Sequence, residues 1–432
     1  MASKELLEND KIRLGAFGSK AALGGMALGI GGLAVSIGVG LAQGDSMSRF
    51  LHAYLLAVTF CLTFSLGGLF FVIIQHLVRA EWSVTVRRTA EILSQTVPIM
   101  GVLTFAGILL PMLIGNHSLY IWTNNDLIGH DHVIQNKAWL SIPFFSLRIA
   151  AYFVIWTFLA RYFHKQSVLQ DQTGDPEIST KLRVAAGPSI VIFGLTCGFA
   201  GIDLLMTLTP HWYSTMWPVY FFAGCTVAIF ALLVLVPMAL QRAGLVKNSI
   251  TTEHYHDVGK LLFAFTFFWG YVAFSQFMLV WYADLPEETV WFKIHMFDSA
   301  MTANGHLIDW VNWKWLSGLL LLGHFCFPFM ALLSRETKRQ RWLLGLLAAW
   351  MLLMHLVDLY WIIMPSYDIN AYLVEGAHLY TWGISKLLFI DLAAVVGVVG
   401  IFVAVAAKAG QRVNLVPTKD PALPESLAFE NY

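Results

Sequence analysis

Long apolar runs dominate this chain, and each is continuous rather than alternating with a period of two. Ten reach the roughly 20 residues that an α-helix needs to cross the hydrocarbon core of a bilayer. They lie at 21–42, 51–78, 90–115, 141–163, 187–209, 218–240, 258–282, 315–334, 341–364 and 386–408. A membrane barrel would instead show short strands with every second residue apolar. The pattern therefore predicts an all-α integral membrane protein with ten transmembrane helices.

Composition agrees with that reading. Apolar residues fill 57% of the 432 positions and charged residues only 12%, too few to coat a soluble globule of this length. The formal net charge is zero, so charge gives no sign of a nucleic-acid partner. Cys61, Cys197, Cys225 and Cys326 sit inside apolar runs without metal-ligand spacing, as small packing residues do. Met1–Lys20 mixes acids and bases and shows no signal-peptide cleavage pattern.

Basic residues predict the orientation. Twenty of the 27 Lys and Arg residues fall in the two tails and in every second loop, against five in the remaining loops. The positive-inside rule then places both termini, 1–20 and 409–432, in the cytoplasm. The long connections 116–140 and 283–314 would face outward. They carry Trp122, His130, His132, Trp291, His295, Trp310 and Trp313, a composition suited to packing at an interface or beneath a partner protein.

An internal match divides the chain further. Asp203–Pro210 (DLLMTLTP) and Asp358–Pro365 (DLYWIIMP) each place an acid seven residues before a proline. Trp139-Leu-Ser stands nine residues before Arg148, and Trp315-Leu-Ser nine before His324. Both matches fall in the third and fourth helices of consecutive four-helix sets. The expectation is a parallel repeat, with a first bundle at 51–209, a second at 218–364, and peripheral helices at 21–42 and 386–408.

Ionisable groups inside such helices are costly and mark function by default. A rise of about 1.5 Å per residue puts Arg148 and Asp203 at one depth in neighbouring helices, as an ion pair or beside a protonated acid. His355 lies one turn before Asp358 on the same face, and His324 near the middle of the preceding helix. A histidine–carboxylate cluster of this kind can relay protons near neutral pH. Glu91 and Lys260, near the cytoplasmic ends of the third and seventh helices, are candidates for the inner mouth of that route. The bland alternative is that these groups staple helices together or are ordinary interfacial charges. Lys386 and Asp391 are five apart and share no face; Asp391 suits a contact to a partner subunit as well as proton work.

No metal or haem site is expected. His52 and His76 share a helix but lie 24 residues apart, roughly 36 Å along the axis. The Gly-His-Asp-His run holding His130 and His132 reads as a solvated loop. Trp217, Phe221, Trp269, Phe274, Met278 and Trp281 could line a quinone pocket, although such stripes also face lipid or core. No phosphate loop or dinucleotide fingerprint is present.

Five stretches carry a family resemblance: FLHAYL (50–55), LSIPFFSLRIAAYF (140–153), HWYSTMWPVYFFAG (211–224), FSQFMLVWYADLPEET (274–289) and HLVDLYWIIMP (355–365). Through them the chain, from about residue 45 to 410, resembles the ActF-type subunits of bacterial alternative complex III, within the NrfD/polysulfide-reductase membrane-subunit family. The resemblance implies ten helices with two four-helix bundles in the bacterial cytoplasmic membrane. It also implies a complex that oxidises menaquinol or ubiquinol and passes electrons to a cytochrome c or a terminal oxidase. Partners would be a sister NrfD-like quinol-binding subunit, an iron–sulfur subunit and c-type haem subunits, while this chain binds no redox metal. The expected role is a proton path and docking scaffold using Asp203, Arg148, His324, His355 and Asp358, with no catalytic residue of its own. A purely structural anchor, a second quinone-binding subunit and an independent secondary transporter remain alternatives.

Overall fold

The computed structural model describes residues 10–43, 47–124, 138–296, 301–303, 306–308, 313–375 and 384–431, with backbone alone at 43, 301–303, 306–308, 368–375 and 384–387. His130, His132 and Trp310 lie outside the described residues, as does the side chain of Lys386.

Among the described residues, ten helices are long and apolar enough to cross a membrane. They are α1 (Gly15–Ala42), α2 (Ser48–Leu77), α3 (Glu81–Leu113), α4 (Ile142–Thr173), α5 (Glu177–Leu208), α6 (Trp217–Arg242), α7 (Thr252–Ala283), α8 (Trp313–Leu333), α9 (Arg341–Tyr367) and α10 (Leu388–Gly410). Among the described residues the fold is helical apart from a short antiparallel pair between α7 and α8, in which Met301–Ala303 meets His306–Ile308. Helices satisfy their own backbone groups, which is why a lipid solvent selects them.

Several helices outrun the apolar stretches that announced them. α3 begins at Glu81 rather than near 90, α4 continues to Thr173 rather than 163, and α5 starts at Glu177 rather than 187. The 164–186 connection is thus a helical hairpin, closed by Gly174 at φ 72° as a left-handed cap. Hydropathy reports where lipid ends; the helix continues because its polar residues find partners on neighbouring helices. Two π-helical segments, Phe105–Leu109 in α3 and Leu320–Cys326 in α8, interrupt the regular winding.

α2 is the central element, buried along nearly its whole length and packed against α1, α3, α4, α5, α6, α9 and α10. Close approach needs small residues: a Cβ on Gly67 would strike the Cys225 carbonyl of α6, and one on Gly68 would stand 2.9 Å from the Ala90 carbonyl of α3. α1 packs chiefly on α10, where Gly25, Gly29 and Gly32 meet Gly397 and Gly400; a Cβ on Gly400 would lie 2.5 Å from the Gly29 nitrogen. The other faces of α1 are exposed, with Leu23, Leu28, Ile30 and Leu41 turned outward.

The described end segments, from residue 10 and up to residue 431, lie on one face, where Lys11 and Ile12 meet Val246 and Leu415. The chain ends tie that face together. Asp10 accepts hydrogen bonds from the backbone nitrogens of Lys247, Asn248 and Ser249 at 2.8, 3.0 and 2.9 Å, and from the Ser249 hydroxyl at 2.7 Å. The Leu415 nitrogen donates to the Ile12 carbonyl at 2.7 Å. Further along, the Thr418 nitrogen reaches Asp171 of α4, Asp420 pairs with Arg87 of α3, and the Asn431 nitrogen donates to Glu253 of α7.

Candidate functional site: two buried acid clusters

Asp203 sits near the end of α5, one turn before the chain leaves the helix. Arg148 of α4 meets it in fork geometry, Nε donating to Oδ2 at 2.9 Å and Nη2 to Oδ1 at 2.7 Å. The Tyr152 hydroxyl donates to Oδ2 at 2.9 Å and Trp139 Nε1 to Oδ1 at 3.1 Å. The remaining guanidinium nitrogen, Nη1, donates to the Trp139 carbonyl at 3.0 Å, and the indole ring lies 3.9 Å over the charge. Of the two forms open to this pair, ion pair or protonated acid, the geometry is that of the ion pair. The bidentate contact and the two further donors leave no lone pair of the carboxylate wanting.

Asp358 of α9 is held differently. The Tyr220 hydroxyl of α6 donates to Oδ1 at 2.5 Å and Trp269 Nε1 of α7 donates to Oδ2 at 3.2 Å. Among the described residues no cation pairs with it. His324 lies against the same Trp269, ring centroids 3.9 Å apart and planes tilted by 42°, and neither of its ring nitrogens has a hydrogen-bond partner among the described residues. His355 places Nε2 3.0 Å from Thr63 Oγ1 of α2, while its Nδ1 is unpartnered. All three are at most 1% exposed. Asp358 stands among neutral donors, whereas Asp203 is held in an ion pair.

The two motif matches therefore diverge in local structure. Pro210 lies beyond the end of α5, whereas Pro365 lies inside the α9 helix, which continues to Glu375. Trp139 precedes α4 and covers Arg148, whereas Trp315 is inside α8 and exposed. Sequence spacing aligned His324 with Arg148, but Tyr220 and Trp269 are the groups that reach Asp358. Their signal was present, since a Tyr or Trp in an apolar helix must find a partner for its O–H or N–H, but spacing alone could not name it.

Other charges fall into separate groups. Glu91 is buried on the termini face, 3.3 Å from Arg88 Nε and 3.5 Å from Arg87 Nε, with the Ser167 hydroxyl donating at 3.0 Å. Arg88 also pairs with Asp171 at 2.7 Å. Residues counted as loop charges are thus a buried network joining α3, α4 and the C-terminal tail. Lys260 is half exposed and pairs with Asp257, donating also to Asn431 at 2.9 Å; it is a surface contact, not a member of either acid cluster. Asp391, expected to face a partner or work on protons, instead pairs with Arg49. Arg49 is itself buried at the start of α2 rather than free in a loop.

Between α7 and α8 a short helix packs against α7 and α9. In the short helix Pro286–Met296, Trp291 stacks on Trp212 at 4.5 Å and on His295 at 3.8 Å. His295 Nδ1 donates to the Trp291 carbonyl at 2.6 Å, and burial holds its imidazole down to about 3, so the ring is neutral. Of the six residues considered for a quinone pocket, Trp217, Phe221 and Trp269 are buried, whereas Phe274, Met278 and Trp281 face outward; they do not form one site. A cavity of about 760 Å³ lies between α3 and α4, lined mainly by apolar side chains, with Arg161 and Lys165 toward the termini face.

Among the described residues no group of three or more His, Cys, Asp or Glu side chains is placed to hold a metal ion. The arrangement offers one charge-locked carboxylate and one carboxylate among neutral donors and imidazoles, both between helices. No family model and no curated protein matches the chain.

Proposed function

We propose that this chain is an NrfD-like membrane subunit, of the ActF type, of a quinol-oxidising respiratory complex, with Asp358, His355 and His324 on a proton path. The observation that carries the reading is Asp358 itself. It is a fully buried carboxylate with two hydrogen-bond donors and no counter-ion among the described residues, beside two imidazoles with unpartnered nitrogens. Quinol oxidation releases protons, and coupling them to a membrane potential requires titratable groups in a dry, protein-lined route. Arg148 and Asp203 form the charge-locked counterpart, which gives rigidity at the same place in the other half.

Helix packing supports a duplication of helices α2–α5 in α6–α9. The contacts α2–α3, α3–α4, α4–α5 and α2–α5 have counterparts in α6–α7, α7–α8, α8–α9 and α6–α9. The crossing contacts α5–α6 and α9–α2 exchange under the same relation. α1 and α10 then stand outside the repeat, attached through α2.

The test uses Asp358→Asn and Asp203→Asn in the intact complex. Asp358→Asn is expected to slow proton release at least about a hundredfold with assembly normal, the lower end of what a single positioned proton-transfer group contributes. Asp203→Asn should act mainly on assembly, because it breaks the ion pair. Unchanged quinol oxidation and proton release in both, with normal assembly, would place the route elsewhere. Absence of c-type haem absorbance in material purified through this chain would remove the respiratory-complex reading.

A further inference from the structure

We infer that a single water molecule is bound between His355 Nδ1 and the Asp358 carboxyl group, in a cavity kept open by Gly224. Its role as a proton carrier rests on the reading proposed above; the site itself does not.

The tautomer of His355 follows from its neighbour. Thr63 Oγ1 gives its hydrogen to the Phe60 carbonyl at 2.7 Å, so toward His355 Nε2, 3.0 Å away, it can only accept. Nε2 therefore carries the hydrogen and Nδ1 presents a lone pair. That lone pair has no partner among the described residues although the ring is 1% exposed. A buried acceptor left unmatched costs about 1–3 kcal/mol, and an ordered water is the common remedy.

Space for it exists at the same point. A small cavity of about 10 Å³ is lined by His355, Asp358, Tyr220, Gly224 and neighbouring apolar side chains. That is about the smallest volume that admits one water. Gly224 forms one wall: a Cβ there would stand 2.9 Å from His355 Cε1 and 3.5 Å from Nδ1. Three of the residues that line the cavity carry polar groups, His355 with its Nδ1 lone pair, Asp358 and Tyr220, and a buried water needs two to four such partners.

Such a water connects groups that do not hydrogen-bond directly. A proton leaving the Asp358 carboxyl group passes to the water as one of the water's own protons passes to Nδ1. One carboxyl O–H bond breaks, one N–H bond forms, and the water is left whole. The carboxylate produced is still held by Tyr220 and Trp269. Gly224 is thus a positioning residue, touching no proton itself.

The experiment is a cryo-electron-microscopy map of the full chain in its native complex, at a resolution that shows ordered water, for wild type and Gly224→Ala. A density peak within hydrogen-bonding distance of both Nδ1 and the Asp358 carboxyl group, lost in Gly224→Ala, is expected. ¹⁵N-histidine spectra of the wild-type chain in nanodiscs provide a second readout that needs no variant. They should show an unprotonated Nδ1 on His355 that exchanges magnetisation with water. An empty cavity in the wild-type map, or a protonated Nδ1, would overturn the site and leave the Asp358→Asn test of the route intact. A water present in wild type with proton release unchanged in Asp358→Asn would keep the site and sink the route.

Discussion

At the scale of single residues, the two acids show how neighbours decide what a carboxylate can do. Asp203 and Arg148 satisfy each other, and removing one partner of a buried pair strands the other's charge. Arg148→Met is therefore expected to cost about 3–5 kcal/mol, and Arg148→Met with Asp203→Leu to cost less than the single change. Denaturant or thermal unfolding in detergent measures both; a neutral single variant would mean the pair contributes nothing. His295 offers a pH test outside the spans. Burial lowers its value from 6.5 to about 3, so its contribution is complete above pH 6.5 and is lost as pH falls toward 3. At pH 5 the deficit is about 2 kcal/mol, and His295→Phe should flatten that part of the stability–pH curve. The candidate acids and histidines were legible from their cost in lipid. Tyr152, Tyr220, Trp269 and Thr63 were not, because a hydrogen bond between helices depends on rotations about each helix axis that a linear pattern does not encode.

At the scale of elements, glycine decides how close two helices come. α1 and α10 touch along Gly25, Gly29, Gly32, Gly397 and Gly400 at distances where a Cβ would meet backbone. Without a hydrophobic drive between helices in lipid, such packing depends on backbone proximity. Gly400→Leu should separate the pair. The melting temperature in detergent should fall by several degrees in that variant; an unshifted value would show that the glycines are incidental. The ten spans were readable as apolar runs, but their ends were not. α3 and α4 extend past the apolar limits where Glu91, Arg88, Asp171 and Ser167 find one another, α5 extends where Ser179 accepts from Gln170 of α4, and a helix with satisfied polar groups has no reason to stop at the lipid boundary.

Across the whole molecule, the chain ends fasten the termini face. Asp10 accepts four hydrogen bonds from the loop between α6 and α7, and the C-terminal tail links α4, α3 and α7 through Thr418, Asp420 and Asn431. Deleting 411–432 would leave Arg87 buried without Asp420 and should lower the melting temperature by several degrees, read by scanning fluorimetry in detergent. An unshifted melting temperature would mean that the tail is held by the bundle without supporting it.

The amino-acid order alone determined the number of crossings and the list of groups too polar to be idle in lipid. A bilayer demands a minimum apolar length and internally paired backbone, and both demands are visible in one dimension. Only the tertiary structure decided which acid is neutralised and which stands among donors, that Arg49 belongs to Asp391, and that α2 lies at the centre. Those outcomes depend on which helices become neighbours and which faces they present, and angular relations of that kind exist only once the chain is packed.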